Sequence, residues 1–214
     1  MMLNELEAKS LLSEHGIPVN KGYMVENASE ASDRAVELGF PVVLKVLSEK
    51  ITHKSDLGLV MLGLRSCGEV REAFDRILSK ARSIDPEASV VVETMADQGI
   101  EVIVGAKRDP QFGPTILFGL GGIFVEVFKD VSIRVAPVDK KTALNMIREI
   151  KGYALLEGVR GRKPADLESL AGIVVKISNL MMAREDVMEL DINPIMAYEN
   201  GALAVDARVL IKGR

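Results

Sequence analysis

The sequence predicts an α+β protein of two lobes, each built from its own strands and helices. Three observations support this prediction: short β-branched segments alternate with amphipathic ones, 214 residues with 48% hydrophobic residues suffice for two cores, and a turn-like link follows the strand that ends near residue 95. We therefore expect an N-terminal lobe over residues 1–95, with a leading helix and a loop around His53, and a C-terminal lobe over residues 96–214.

Three helices and three strands are expected in the N-terminal lobe. The first helix ends at "HGIP", with His15 in its last turn as a cap, and the second begins at the N-cap Asn27, with Glu30 in capping-box position, and ends at Gly39. The segments "FPVVLKV", "LVMLGL" and "ASVVVETM" predict strands, and "GEVREAFDRILSKARS" predicts a helix before the last of them.

The C-terminal lobe opens with two or three strand-like segments joined by turns rich in Gly, Pro and Asp. Two helices are expected near residues 139–151 and 166–183. The chain then reads "VMELDINPIMAYENGALAVDARVLI", where the Asn-Gly pair predicts a hairpin between two strands.

Composition excludes several classes of protein. The 27 Lys and Arg residues against 31 Asp and Glu residues leave a net charge of −4 without a basic block, so nucleic acid is not an expected partner. The acidic N-terminus argues against a secretory signal, and no apolar run is long enough for a membrane span. The single cysteine, Cys67, fits a reducing compartment, so we expect a cytoplasmic protein.

Two charged residues lie at unusual positions in the predicted strands. Lys45 interrupts an otherwise apolar strand, where a buried ammonium needs an anionic partner. That partner is either a neighbouring carboxylate or the phosphate of a ligand. Glu93 ends the third strand, next to the link between the lobes, where most glutamates are merely solvated.

The C-terminal hairpin predicts a magnesium site. Asp191 and Asn193 lie two residues apart and therefore share one face of a strand, and the hairpin brings Asp206 on the other strand beside them. Oxygen donors without Cys or His suit Mg²⁺, which keeps several waters and binds substrate phosphates. The alternative, a solvated polar face, fits poorly with the apolar residues on either side.

Two further features are candidates for binding phosphate. "FGLGGIF" supplies Gly121 and Gly122, whose backbone N–H groups can approach an anion closely, although such a stretch is usually only a turn. Arg134 alternates with Ile133 and Val135 on a predicted strand, so it either reaches a phosphate or forms a surface ion pair.

The stretch "KITHKSDLGLV" contains His53, one of two histidines in the chain. A metal site is disfavoured, because His15 and Cys67 are the only other soft ligands and the oxygen donors lie elsewhere. His53 is therefore either a solvated loop residue or a nucleophile.

These segments together resemble the beta, nucleotide-binding subunits of ADP-forming acyl-CoA synthetases. The similarity rests on "PVVLKVLSEKITHKSDLGLV", "GIEVIVGAKRDPQFGP", "FGLGGIFVEVFKDVSIRVAP", "GVRGRKPADLESLA" and "ELDINPI" followed by "VDAR", and it covers nearly the whole chain. Succinyl-CoA synthetase beta subunits are more distantly similar. One departure is that the family commonly has two glycines after "HKSD-x", whereas Gly58 is followed by Leu59 here.

The resemblance implies an ATP-grasp fold of two α/β lobes with ATP or ADP between them. It places Lys45 on the phosphates, Glu93 and the backbone near Met95 on the adenine, and Glu101 on the ribose. Nucleotide binding would thus involve Lys45, Glu93, Met95, Glu101, Gly121 and Gly122.

For the reacting groups, the resemblance implies that His53 is phosphorylated and that Asp191 orients the phosphohistidine. Arg134 would neutralise the transferring phosphoryl group, and Asn193 and Asp206 would hold Mg²⁺. A neutral imidazole is nucleophilic near neutral pH, and phosphoryl transfer needs mainly positioning and charge neutralisation.

The implied net reaction converts acyl-CoA, ADP and phosphate to free acid, CoA and ATP, reversibly. No region of the chain resembles a CoA-binding domain, so we expect a CoA-binding alpha subunit with its own phosphohistidine, in an alpha2beta2 heterotetramer. The alternatives are an ATP-grasp carboxylate ligase, a non-catalytic nucleotide sensor, or a detached piece of a fused synthetase. Met1 and the tail "LIKGR" are expected to be natural ends.

Overall fold

The computed structural model describes residues 1–48, 50–51, 54, 56–122, 130–159 and 163–213. It divides into two compact units, Asn20–Ala96 and a larger one formed by Met1–Val19 with Asp97–Arg214. The division after Ala96 lies beside the expected boundary at residue 95.

The leading helix belongs to the larger unit, which corrects its placement in the N-terminal lobe. Helix α1, Glu5–Glu14, contributes Ala8, Leu11 and Leu12 to the hydrophobic core of that unit. The backbone of Leu3 also donates a hydrogen bond of 2.9 Å to the carbonyl of Val209. Helix α1 is thus first in the sequence but packs with elements near the other end of the chain, because its apolar face is buried against them.

The smaller unit is a four-stranded antiparallel sheet with helices α2, Ala28–Leu38, and α3, Cys67–Arg82. Its strands lie in the order β1-β4-β2-β3 and span, in chain order, β1 Gly22–Val25, β2 Val42–Leu47, β3 Val60–Leu64 and β4 Ser89–Thr94. Asn27 caps α2 as predicted, with its side-chain oxygen accepting from the Glu30 N–H at 2.9 Å. Strand β1 was not predicted.

The larger unit is a six-stranded antiparallel sheet in the order β10-β8-β5-β6-β7, with β9 paired to β8. Its elements after α1 are β5 Ile100–Asp109, β6 Gly113–Leu120, β7 Val131–Val135, α4 Lys140–Glu149, α5 Tyr153–Leu156, α6 Leu167–Ala183, β8 Val187–Ala197, β9 Ala202–Ala204 and β10 Ala207–Ile211. The two predicted helices and the hairpin are confirmed, whereas the short α5 was not predicted. None of the described helices is both long and apolar enough to cross a membrane.

Both sheets use one face for the core, so the residues on the other face are left for other roles. In the smaller sheet, Val42, Leu44 and Val46 of β2 belong to the core cluster, while the alternate residue Lys45 does not. In the larger sheet, Leu190 and Ile192 of β8 belong to the core, while Asp191 lies outside it. This period of two sets the orientation of most candidate side chains.

Candidate functional site

Lys45 and Glu93 form a buried ion pair in the smaller unit. The Lys45 Nζ lies 2.9 Å from the Glu93 Oε2, and the side chains are 8% and 0% exposed. Asn20 joins them, because its Nδ2 donates to the same carboxylate oxygen at 3.0 Å and to the carbonyl of Thr94 at 3.2 Å. The carboxylate partner considered for Lys45 is therefore Glu93, and Glu93 is not a solvated residue.

The backbone around Glu93 is tightly packed. A Cβ atom at Gly22 would lie 2.8 Å from the Glu93 Cγ, so only glycine leaves room for this side chain. Two residues further on, Met95 is 39% exposed, and its backbone N–H donates to the carbonyl of Pro41 at 3.4 Å. The predicted contacts of Glu93 and Met95 with adenine stay predictions.

His53 lies outside the described residues, so its role also stays a prediction. The described residues after it begin the return to β3: Gly58 has φ +62, and Leu59 is fully buried in the core of the smaller unit. The backbone N–H of Val46 donates to the Leu59 carbonyl at 3.1 Å. Leu59, where the resembling family has a second glycine, thus serves as a core residue.

In the larger unit, Glu101 lies beside the glycine pair. The Gly121 N–H donates to the Glu101 carbonyl at 2.7 Å. A Cβ atom at Gly121 would lie 2.9 Å from the Glu101 Cβ, and one at Gly122, which has φ +63, would lie 3.1 Å from the Glu101 Oε2. The exposed Glu101 side chain also lines a cavity of about 580 Å³ together with Met196 and Tyr198. The structure therefore brings these three predicted residues together.

Asp191 lies opposite Arg208 in the β8–β10 pair, on the face of the sheet away from the core. Burial raises the pKa of the Asp191 carboxyl, the Arg208 guanidinium opposes this shift, and Glu189 adds to it. Asp191, Arg208 and Lys107 line a second cavity, of about 530 Å³, with apolar walls that include Leu117 and Leu210. Glu189 lines it as well, so two carboxylates and two cations share one partly apolar cavity.

Asn193 and Asp206 are neighbours, as predicted. The Asn193 N–H donates to the Asp206 carbonyl at 3.2 Å. The β5–β8 pairing is irregular here, because Val104 pairs with Ile192 and Val102 with Ile195, so two β8 residues oppose one of β5. Such bulges often occur next to functional sites, where they redirect side chains.

The donor chemistry at this bulge fits a hard cation. Asn193 is exposed and Asp206 is half-buried, and both offer side-chain oxygens. Among the described residues, no group of three or more His, Cys, Asp or Glu side chains has the geometry of a metal site. One or two protein oxygen ligands are nevertheless what Mg²⁺ uses when substrate phosphates and water complete its shell.

Arg134 is the predicted site residue of the larger unit that lies on the opposite face of the sheet from Asp191. It pairs across the strands with Ile116, a fully buried core residue, so both lie on the helix side of the sheet. There the guanidinium binds the Glu149 carboxylate of α4, which raises the pKa of Arg134. The surface ion pair is thus what the structure contains, and we correct the grouping of Arg134 with Asp191.

Sequence reasoning missed two residues of these networks, Asn20 and Arg208. Asn20 precedes β1, which was not predicted, so nothing indicated that it would contact Glu93. Arg208 had a partial signal: counting pairs outward from Asn200-Gly201 as the two turn residues places Arg208 opposite Asn193, on the same face as Asp191 and two residues from the observed Arg208–Asp191 pair.

Comparisons with known proteins cover nearly the whole chain. The ATP-grasp domain family matches residues 1–211. The chain is 50% identical, over 98% of its length and 91% of the relative's, to the acetate–CoA ligase (ADP-forming) I subunit beta of Pyrococcus furiosus. It is 27% identical, over 97% of its length and 54% of the relative's, to the succinate–CoA ligase (ADP-forming) subunit beta of Natronomonas pharaonis.

Two solved structures of an acetyl-coenzyme A synthetase are also similar to this chain. Acetyl-coenzyme A synthetase 1 of Ca. Korarchaeum cryptofilum, in complex with coenzyme A and Ca-AMPCP, has a TM-score of 0.95 and 43% identity over 99% of this chain and 93% of that one. A second structure of that enzyme contains Mg-AMPPCP, with its phosphohistidine segment pointing towards the nucleotide binding site. Its TM-score is 0.88 and its identity 44%, over 99% of this chain and 93% of that one.

Proposed function

Because this chain belongs to the ATP-grasp family of ADP-forming acetate–CoA ligase beta subunits, we propose that it is the nucleotide-binding subunit of such a ligase. It would transfer a phosphoryl group between His53 and ADP. The observation that best supports this proposal within the structure is the β8–β10 region. There Asp191 supplies a carboxylate, and Asn193, two residues further on, lies beside Asp206, so that both offer side-chain oxygens for a cation.

Nucleotide binding would use the residues that the family resemblance implies. In the smaller unit, Lys45 would bind the phosphates, and its ion pair with Glu93 would hold the ammonium in place. The backbone near Met95 would contact the adenine. In the larger unit, Glu101 would bind the ribose, and the N–H groups of Gly121 and Gly122 would face the phosphates.

Asn193 and Asp206 would hold Mg²⁺, which supplies charge neutralisation for the phosphate oxygens. Arg134 is left out of the phosphate site, because it is paired with Glu149 on the other face of the sheet. Arg208 and Lys107, which line the cavity beside Asp191, are two cations that would take its place.

Phosphoryl transfer from His53 would form ATP by a single displacement. An oxygen of the ADP β-phosphate attacks the phosphorus of phosphorylated His53, a new P–O bond forms, the P–N bond breaks, and the imidazole keeps the electron pair. Asp191 would orient the imidazole by accepting a hydrogen bond from its other ring nitrogen. With a CoA-binding alpha subunit, the net reaction is acetyl-CoA, ADP and phosphate to acetate, CoA and ATP.

The assembly that carries out this reaction would be a cytoplasmic alpha2beta2 heterotetramer. The alpha subunit would form the acyl phosphate and pass the phosphoryl group to His53 through its own phosphohistidine. Co-expression with a tagged alpha subunit, followed by light scattering of the purified complex, tests this stoichiometry.

Reconstitution with an alpha subunit tests the function itself. The wild-type complex is expected to make ATP from acetyl-CoA, ADP and phosphate, and the His53→Ala complex is expected to make none. Equal rates for the two complexes would rule out the phosphoryl-carrier role. An ATP-grasp carboxylate ligase would consume ATP with an amine and an acid and leave His53 unlabelled, so the same preparation separates the two activities.

A further inference from the structure

A buried carboxylate fixes the chain where it leaves β2 towards His53. The Ser48 hydroxyl donates a hydrogen bond of 2.7 Å to the Asp85 Oδ2, and the Lys50 Nζ lies 3.1 Å from the Asp85 Oδ1. Asp85 follows α3 and is only 3% exposed, whereas the Lys50 side chain is 66% exposed. The carboxylate is therefore a fixed group to which a surface segment is attached.

Ser48 also binds the backbone of the residues that follow it. Its hydroxyl oxygen accepts hydrogen bonds from the N–H groups of Lys50 at 3.1 Å and Ile51 at 3.2 Å. The Ile51 side chain is 4% exposed and belongs to the core of the smaller unit. These contacts hold Ser48, Lys50 and Ile51, and Ile51 is two residues before His53 in the sequence.

Asp85 is itself held by the body of the unit. Its backbone N–H donates to the Ala81 carbonyl in the last turn of α3 at 2.8 Å, and its carboxylate accepts from the Glu87 N–H at 3.2 Å. The Ser48 hydroxyl, followed by the Lys50 ammonium, lowers the pKa of the Asp85 carboxyl. These contacts favour the ionised form of the carboxylate and attach Asp85 to the end of α3.

We propose that Ser48 and Asp85 are positioning residues for phosphoryl transfer, because their contacts hold Lys50 and Ile51, the last described residues before His53. The inference rests on the proposed function of His53. Transfer rates depend steeply on alignment, and a displacement of about 1 Å can lower a rate about 100-fold. In the described interactions, neither Ser48 nor Asp85 contacts a predicted nucleotide or metal ligand. A change at Ser48 or Asp85 is therefore expected to alter the transfer rate without altering ADP binding.

Removing the hydroxyl is the smallest change that breaks this attachment. In Ser48→Ala, the rate of His53 phosphorylation by Mg-ATP is expected to fall between about 10-fold and 100-fold. The dissociation constant for ADP is expected to stay unchanged, because Lys45 and the other proposed ligands are untouched. Ser48→Thr keeps the hydroxyl and is expected to restore the rate.

Asp85→Asn gives a graded variant. The amide oxygen can still accept from Ser48, but the ion pair with Lys50 is lost, so the rate is expected to lie between wild type and Ser48→Ala. Ser83→Ala is the matched control. Ser83 lies at the end of α3, and its hydroxyl donates to the Lys80 carbonyl at 2.7 Å, so its removal is expected to leave the rate unchanged.

The experiment is rapid-quench measurement of acid-labile label on the full chain, using γ-labelled ATP with Mg²⁺, together with calorimetric titration of ADP. If wild type acquires no label on His53, the proposed function fails, and with it the premise of this inference. If wild type is labelled and Ser48→Ala is labelled equally fast, only the inference is overturned. A slow Ser48→Ala that also loses ADP affinity, with no recovery in Ser48→Thr, would show a general structural role and overturn it too.

Discussion

The charged site residues predicted in the smaller unit, Lys45 and Glu93, are buried and paired, whereas those predicted in the larger unit are half-buried or exposed. Lys45 and Glu93 are almost inaccessible and share a hydrogen-bonded network with Asn20. Asp191 is half-buried, and the opposite Arg208 is exposed beside a cavity. Changing a charged residue therefore has different expected consequences in the two units: loss of one partner of the buried Lys45–Glu93 pair lowers stability, whereas loss of the half-buried Asp191 carboxylate removes a group that lines a cavity.

Breaking the buried pair has the largest expected effect. Glu93→Ala leaves the Lys45 ammonium buried without this carboxylate, and removal of one partner of a buried ion pair costs about 3–5 kcal/mol. Urea denaturation, followed by a probe in the smaller unit, measures the change in the free energy of unfolding.

The double variant Lys45→Met with Glu93→Leu is the control for this prediction. Because both charges are replaced by apolar groups, it is expected to recover much of the lost stability. Nucleotide binding is expected to remain lost without Lys45. A Glu93→Ala protein as stable as wild type would contradict a structural role for this pair.

Neutralising the half-buried carboxylate of the larger unit is expected to change activity instead of stability. Because burial disfavours the charged form of Asp191, the free energy of unfolding of Asp191→Asn is expected to change by less than about 0.5 kcal/mol. ATP formation with the alpha subunit is expected to fall about 100-fold through loss of orientation. Urea denaturation and a coupled assay of ATP formation measure the two effects separately.

Glu189→Gln is the matched variant for Asp191→Asn. Glu189 is exposed, two residues earlier on the same strand, and its substitution is expected to leave the rate unchanged. If both variants lose activity equally, a general charge effect on this face is responsible, and the assignment of Asp191 is wrong.

Two glycine substitutions are expected to change the stability of the larger unit by intermediate amounts. In Gly121→Ala, the new methyl group would lie 2.9 Å from the Glu101 Cβ, and overpacking of this kind costs about 1–3 kcal/mol. At Gly172, within α6, an added methyl group would have no atom within 4 Å, so Gly172→Ala is expected to stabilise by about 0.4–1 kcal/mol. Thermal unfolding of both variants should therefore shift in opposite directions.

Arg134→Ala has the smallest expected effect. An exposed ion pair such as Arg134–Glu149 contributes less than about 1 kcal/mol, and the guanidinium lies on the helix side of the sheet. The rate of ATP formation is expected to match wild type. A 100-fold loss, on the scale that misalignment of about 1 Å produces, would instead restore Arg134 to the phosphate site.

The elements with strong patterns were predictable from the sequence. The strands β2 and β4 follow from their apolar segments, the helix α3 from its amphipathic pattern, and α2 from the N-cap Asn27. Strand β1 has only four residues, among them the exposed Met24, so it carries little periodic signal. Short elements depend on their neighbours more than on their own sequence.

The relations between distant residues were less predictable. The apolar residues of α1 indicate that it is buried, but nothing in them indicates that the partner is the larger unit. For Arg134 the sequence left a phosphate ligand and a surface ion pair open, because nothing in it indicated which face of β7 meets the core. On the edge strand β7, Ile133 and Val135 are 54% and 49% exposed, so the apolar side of this strand is not the side that faces the core.

The candidate site was predictable where residues are close in sequence. Asp191, Asn193 and Asp206 come together because a short hairpin fixes their register. Glu93 as the partner of Lys45 depends on pairing between β2 and β4, which are not consecutive in the chain, so the sequence indicated only that some anion was needed.

Phosphorylation of His53 decides whether this chain carries a phosphoryl group. The full chain, incubated with Mg²⁺ and γ-labelled ATP, should acquire one acid-labile phosphoryl group, which peptide mass spectrometry should locate on His53, and His53→Ala should acquire none. Transfer of that label to added ADP should regenerate labelled ATP. A chain that binds the nucleotide but is never labelled, or is labelled equally in His53→Ala, would contradict the phosphoryl-carrier role.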